Sequence, residues 1–106
     1  MREFEVDGIP LKMGRNQDEN DALLKSMNPD DTWFHLEDAP SAHLCMPRDY
    51  KKINKNTLYR IALEVKKTSK LKSNHIVPVM YKYSKNLTLT NIPAHPEISG
   101  RYKTVN

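Results

Sequence analysis

Residues 4–13 read FEVDGIPLKM and determine how the chain begins to fold. Apolar residues alternate on both sides of a central Asp-Gly dipeptide. This dipeptide favours a type I′ turn, in which both central residues have a positive φ. A two-residue loop of this kind places Val6 opposite Ile9 and Phe4 opposite Leu11. The stretch therefore predicts a β-hairpin.

Two amphipathic segments further along the chain predict helices. The first is short and ends at an Asn-Pro pair, and Asn16 or Asp18 can cap its start. The second is longer and basic, and it runs from Asn54 or Asn56 to Ser69. Its apolar residues recur at i, i+3, i+4 and i+7, namely Leu58, Ile61, Ala62 and Val65.

The remaining apolar stretches predict strands, at residues 31–37, 43–46, 76–83, 87–90 and 101–105. In the first of them Phe34 and Leu36 project to one side and Trp33 to the other, because side chains alternate along a strand. Pro78 lacks a backbone donor, so its strand is either an edge strand or interrupted there. Together the elements predict one α+β domain over residues 1–106, with a largely antiparallel sheet.

Charge is unevenly distributed along the 106 residues, although the net charge is only +4. Residues 1–50 carry five Lys/Arg against eleven Asp/Glu, whereas residues 51–106 carry twelve against two. Such asymmetry favours a polyanion-binding face or a basic tail. The alternative is that the two halves interleave and neutralise each other on folding.

Composition also excludes several classes of protein. The single cysteine, Cys45, cannot form an internal disulfide or a cysteine metal cluster. No apolar run approaches the length of a membrane helix, and no apolar stretch follows the N-terminus as in a signal peptide. Three glycines cannot supply a glycine-rich phosphate loop. A cytoplasmic, membrane-free protein is expected.

Metal and hydrolase sites are not predicted. The four histidines show no repeated metal-ligand spacing; they are His35, His43, His75 and His95. A triad can be drawn from Ser41, Asp38 and either His35 or His43, but no Gly-x-Ser-x-Gly elbow accompanies it. We expect no metal, no cofactor and no catalysis.

Basic residues are concentrated on the longer helix and on the strands that follow it. Glu64 is the only acid between residues 54 and 72, a segment that contains Arg60, Lys66, Lys67, Lys70 and Lys72. Further cations alternate with tyrosines in the last third of the chain: Tyr81, Lys82, Tyr83, Lys85, Arg101, Tyr102 and Lys103. Lysines neutralise phosphates and aromatic faces stack on unpaired bases, which suggests nucleic acid without distinguishing RNA from DNA. A solvated lysine-rich surface is the alternative.

Four short motifs together resemble the NFACT-R domain. They are Gly14-Arg15-Asn16, Glu19-Asn20-Asp21, Asp31-Thr32-Trp33-Phe34-His35 and Pro40-Ser41-Ala42-His43-Leu44. This RNA-binding module occurs in ribosome-associated quality-control factors of the NFACT (fibronectin-binding-protein-like) group and as stand-alone proteins. The chain resembles the stand-alone form, because no helix-hairpin-helix or coiled-coil segment accompanies the motifs. Functions that need those parts, such as directing tail addition on a stalled nascent chain, are not expected.

The resemblance implies binding of ribosomal or transfer RNA, with the ribosome as a further partner, and translation quality control as the setting. The signature positions are Gly14, Arg15, Asn16, Asn20, Asp21, Trp33, His35, Ser41 and His43. Several have an alternative structural role, since Asn20 and Asp21 can cap the first helix and Trp33 can belong to the core.

The predicted nucleic-acid contacts are Arg15, Asn16, His35, His43, Arg60, Lys66, Lys67, Lys70 and Lys72. Arg15, Lys66, Lys67 and Lys70 are expected at phosphates, and His35 or His43 at a sugar or base. The alternative function is a protein-interaction module that docks a charged partner. Such a module would use either the basic half of the chain or the acidic residues 16–38.

Overall fold

In the computed structural model, the predicted hairpin forms one edge of a six-stranded sheet. The structure describes residues 1–37, 39–71, 73, 77–89, 96–98 and 103–105. The strands are β1 (Arg2–Val6), β2 (Ile9–Met13), β3 (Thr32–Leu36), β4 (Leu44–Met46), β5 (Val79–Tyr83), β6 (Leu87–Thr88), β7 (Glu97–Ile98) and β8 (Lys103–Val105). The helices are α1 (Gln17–Ser26) and α2 (Lys55–Lys66), with 3₁₀ turns at Tyr50–Lys52 and Ser84–Asn86. The large sheet has the order β1-β2-β4-β3-β5-β8, and β6 pairs with β7 separately. Neighbouring strands run antiparallel, which confirms the predicted α+β class.

The hairpin has the predicted register. Val6 lies opposite Ile9 and Phe4 opposite Leu11. The turn residue Asp7 has a φ of 53° and is followed by a glycine with a φ of 81°, as a type I′ turn requires.

Helix α1 begins at Asn16, whose side chain accepts a hydrogen bond from the Glu19 backbone N–H at 2.9 Å. Asn16 is therefore the cap, one of the two candidates for that position. The alternative caps Asn20 and Asp21 were wrong, because both lie inside the helix, where a side chain cannot reach the N–H groups of the first turn.

Helix α2 begins after Asn54 and ends at Lys66, three residues before the predicted end. The difference arises because Thr68 and Ser69 tighten the chain into a turn. Their N–H groups donate to the carbonyls of Val65 and Lys66, respectively, and their hydroxyls donate to the same two carbonyls. These bonds satisfy carbonyls that would otherwise continue the helix.

Strand β5 starts immediately after Pro78, and it lies between β3 and β8 rather than at an edge. The prediction that the strand is interrupted at Pro78 is therefore confirmed, and the alternative that it is an edge strand is wrong. Strand β7 follows Pro96, in a stretch for which the sequence predicts no strand. Some residues of the predicted strands lie outside the described residues: Ile76, Thr90, Arg101 and Tyr102.

The large sheet is covered on both faces, with β3 in its interior. Phe34 and Leu36 point into the larger core, which also contains Leu58, Ile61, Ala62 and Val65 of α2; we call this side the α2 face. Trp33 points the other way, into a smaller core with Leu24 of α1 and Met80; we call this the α1 face. His35 is the one β3 residue that stays half-buried, so the α1 face is open beside it.

Candidate functional site

A groove of about 1230 Å³ opens on the α1 face beside His35. Its walls come from the start of α1, the turn between β3 and β4, and residues 68–71 after α2. It is lined by every signature position except Asp21: Gly14, Arg15, Asn16, Asn20, Trp33, His35, Ser41 and His43. We call it the signature groove, because folding brings these separate motifs together there.

Three aromatic rings form the floor of the groove. The Trp33 indole donates from Nε1 to His43 Nδ1 at 2.9 Å. Its ring stacks on His35 with centroids 5.6 Å apart, and the two imidazoles meet edge to face at 4.6 Å. His35 Nδ1 lies 2.6 Å from the Leu36 carbonyl oxygen, which can only accept, so Nδ1 carries the proton. Because the Trp33 indole N–H can only donate, His43 Nδ1 is the acceptor of their hydrogen bond.

Gly14 is required by the close approach of α1 to the chain that directly follows β2. The Asn20 side-chain oxygen accepts from the His43 N–H at 3.2 Å, while the Gly14 N–H donates to the His43 carbonyl at 3.1 Å. A Cβ on Gly14 would lie 2.0 Å from Asn20 Oδ1 and 2.8 Å from the Asn20 backbone nitrogen. These three signature residues therefore form one interlocked contact between segments distant in sequence.

Ser41 holds the turn that follows β3. Its hydroxyl accepts from the Leu36 N–H at 3.1 Å and donates to the Ala42 carbonyl at 3.0 Å. The single hydroxyl proton thus points at a main-chain oxygen and not at an imidazole. The geometry gives Ser41 a structural role; Asp38, the third member of the drawn triad, lies outside the described residues.

Cys45 offers no nucleophile either. The residue is buried, and this burial, with a smaller contribution from the Asp31 carboxylate, raises the pKa of its thiol to about 12. The thiol stays protonated at neutral pH, and it is the thiolate that reacts.

Arg15 lies at the rim of the groove and forms a bidentate ion pair with Glu19. The two guanidinium contacts, Nε–Oε1 and Nη2–Oε2, measure 3.0 and 2.8 Å. Hydrogen bonds from Arg15 and from the N-terminal ammonium hold the pKa of the Glu19 carboxyl well below its usual range. The Arg15 side chain nevertheless remains 65% exposed, so it is anchored but open to solvent.

The cations of the longer helix are divided between different places. Lys70 lines the groove, and Lys66 and Lys67 precede the wall formed by residues 68–71. Arg60 instead points to the hairpin, where it forms an ion pair with Asp7. Lys72 lies outside the described residues. The described residues of the basic segment do not form one continuous patch, because Arg60 pairs with Asp7 and Lys67 pairs with Glu64.

Sequence reasoning missed Arg2, which lines the groove, and it treated the later basic and aromatic residues as one surface. The structure separates them. Lys82 is buried on the α1 face, which lowers the pKa of its ammonium, whereas Tyr81 and Tyr83 project to the α2 face. The alternation of side chains along β5 was the signal that could have revealed this division.

Within the described residues, no group of three or more His, Cys, Asp or Glu side chains is placed to hold a metal ion. Neither described helix has the length and apolar character needed to cross a membrane. His75 and His95 lie outside the described residues.

Comparison with known proteins identifies the architecture. The family model described as the NFACT protein RNA binding domain matches residues 2–94. The solved C-terminal part of the fibronectin/fibrinogen-binding protein of Streptococcus suis is similar, with a TM-score of 0.85 and 24% sequence identity. The alignment covers 98% of this chain and 43% of that one, and at this identity it demonstrates the shared fold. Comparison with curated proteins gives no match.

Proposed function

The chain belongs to the NFACT RNA-binding domain family, and from that premise we propose that it binds structured RNA through the signature groove without catalysing a reaction. The family implies RNA binding. Ribosomal or transfer RNA is the proposed target, and cytoplasmic translation and its quality control are the proposed setting.

One observation carries the proposal: the signature positions converge on a single groove whose lining includes Arg2, Arg15 and Lys70. Guanidinium and ammonium groups bind phosphate oxygens, and helix α2 places Lys66 and Lys67 just before the same wall. Arg2 and Lys67 both pair with Glu64, at 3.5 and 2.8 Å, so a phosphate would take the place of that carboxylate. The groove therefore offers cations to the backbone of an RNA.

His35 is the ring that a sugar or base reaches in this arrangement. Trp33 and His43 are buried, with 1% and 4% of their surface exposed, whereas His35 is half-buried beside them. Stacking under His35 and the hydrogen bond to the Leu36 carbonyl fix its orientation. Ring faces and ring nitrogens are the groups with which proteins recognise unpaired RNA bases.

Fluorescence anisotropy with labelled transfer RNA tests the proposal. If roughly four to six phosphates are neutralised, log affinity should fall with log salt concentration with a slope of about −3 to −5. Lys70→Gln should make the slope shallower by about 1, while Lys12→Gln, an equal charge change at an exposed side chain of β2, should leave it unchanged.

Binding that does not depend on salt would contradict the proposal, and so would equal effects of the two substitutions. A duplex DNA of matched length, measured in parallel, distinguishes RNA from general polyanion binding. The protein-interaction alternative would be favoured by two results together: proteins that stay bound in a pull-down after nuclease treatment, and a purified protein that does not bind RNA.

A further inference from the structure

A cluster of tyrosines and lysines lies on the α2 face, on the opposite side of the sheet from the signature groove. The rings of Tyr50 and Tyr83 are 4.7 Å apart between centroids, and Tyr50 also meets Tyr81 at 5.1 Å. Tyr81 in turn stacks on the core residue Phe34 at 5.5 Å. The rings are therefore anchored to the sheet through a continuous series of contacts.

Three lysines from separate segments converge on these rings. The Lys85 ammonium lies 4.8 Å from the Tyr83 centroid, and that of Lys51 lies 5.9 Å from the same ring. The Lys103 ammonium lies 5.9 Å from the centroid of Tyr50. All three residues are exposed. Attraction between a cation and a ring face orients each ammonium without neutralising it.

Acidic groups compensate this cluster only in part. Asp30 pairs with Lys85 at 3.0 Å, and Asp49 accepts the Tyr83 hydroxyl at 2.6 Å. In the described part of the chain, no salt bridge joins Lys51 or Lys103 to a carboxylate. The Asp49 carboxylate also attracts Lys51 without forming a salt bridge with it. Within the described residues, the Lys51 and Lys103 ammonium groups are therefore the ones that the cluster offers to a ligand.

We propose that this tyrosine–lysine patch, made of Tyr50, Lys51, Tyr83, Lys85 and Lys103, is a second RNA contact surface that binds backbone phosphates. The proposal rests on the RNA-binding function proposed above. The ligand class follows from the chemistry: the rings pack on one another and the Tyr83 hydroxyl is occupied, so the ammonium groups are what the patch offers. Because the patch and the groove lie on opposite faces, one folded RNA would contact the domain at two segments of its backbone.

The test compares two double variants of the full chain that carry the same net charge. Lys51→Gln with Lys103→Gln removes the two ammonium groups of the patch and keeps Lys85 with its Asp30 partner. Lys12→Gln with Lys55→Gln is the matched control, because both lysines are exposed and lie outside the groove lining and the patch. Labelled transfer RNA is titrated with each variant between low and moderate salt.

Removal of two phosphate contacts should make the salt slope shallower by about 1.5 to 2 relative to the control. Lys51→Arg with Lys103→Arg should restore the wild-type slope, because it keeps charge and ring contact. Combination with Lys70→Gln should reduce the slope by a further 1 or so, since the two surfaces contact separate phosphates.

If the patch variant has the same salt slope as its control, this inference is overturned. The proposed groove would still be supported if Lys70→Gln makes the slope shallower. A wild-type protein that does not bind the RNA would remove both proposals. If the patch variant keeps its RNA slope but loses capture of an acidic protein, the patch binds protein and the inference is wrong.

Discussion

The signature groove and the tyrosine–lysine patch share one sheet but are built in opposite ways. In the groove, the polar groups of Gly14, Asn20, Ser41 and His43 bond to one another or to the main chain. In the patch, exposed ammonium groups lie near ring faces, and among the described residues Lys85 alone of the three lysines forms a salt bridge. The contrast shows that the signature residues specify the shape of the groove, whereas the exposed lysines of both surfaces lie outside the signature.

The largest expected effect tests whether the groove depends on shape. Gly14→Ala places a methyl group 2.0 Å from Asn20 Oδ1 and against the α1 backbone, so that α1 must move away from the end of β2. We expect a loss of about 3 kcal/mol in the free energy of unfolding, from overpacking and from weakened hydrogen bonds to His43. Urea denaturation followed by circular dichroism measures it.

Gly8→Ala is the matched control for this substitution. Gly8 has a positive φ of 81°, but no atom lies within 4 Å of the Cβ position. Its replacement should cost only about 1 kcal/mol, the strain of a left-handed alanine. Gly14 has no positive φ, so if the two variants lose the same stability, the contact with Asn20 relaxes at little cost and close packing does not explain the glycine of the motif.

A smaller effect is expected for the ring floor of the groove. Trp33→Phe keeps an aromatic ring but removes the N–H that His43 Nδ1 accepts, and so leaves a buried acceptor unpaired. The expected cost is about 2 kcal/mol in unfolding free energy. His43→Leu added to Trp33→Phe should cost less than the sum of the single changes, because the orphaned acceptor is then gone. Additive losses in the urea experiment would show that the indole bond contributes little.

Local signals explain why much of the fold was predictable. The Asp-Gly turn fixed the hairpin register of Val6 with Ile9, and the Asn16 cap marked the start of α1, because both depend on residues a few positions apart. The end of α2 was missed because the Thr68 and Ser69 hydroxyls compete with the helix for its last carbonyls.

The groove was predictable as a set of motifs but not as an arrangement. The contact between Asn20 and His43 joins residues 23 positions apart, and it exists only because β4 lies between β2 and β3 in the sheet. No periodicity in the sequence encodes that order. Tyr83, Lys85 and Lys103 of the patch were singled out by the alternation of cations and tyrosines, but Tyr50 and Lys51 were missed for the same reason. They meet Lys103 only through the pairing of β5 with β8.

The smallest expected effect concerns acid stability at the patch. The pKa of the Asp49 carboxyl is lowered, first by the hydrogen bond from the Tyr83 hydroxyl and then by the Lys51 N–H. A carboxyl whose pKa is lower in the folded than in the unfolded protein stabilises the fold above its unfolded pKa of about 3.9, and that contribution disappears as the pH falls through the folded value.

Tyr83→Phe removes the first cause and returns the pKa of Asp49 toward its ordinary value. The variant should therefore be less stable than wild type at neutral pH, with the difference shrinking below about pH 4. Tyr81→Phe, which keeps the ring that stacks on Phe34, should show a constant difference across the same urea series. If the Tyr83→Phe difference is equally constant, Asp49 is not linked to this hydroxyl, and the patch is then held by its ring contacts alone.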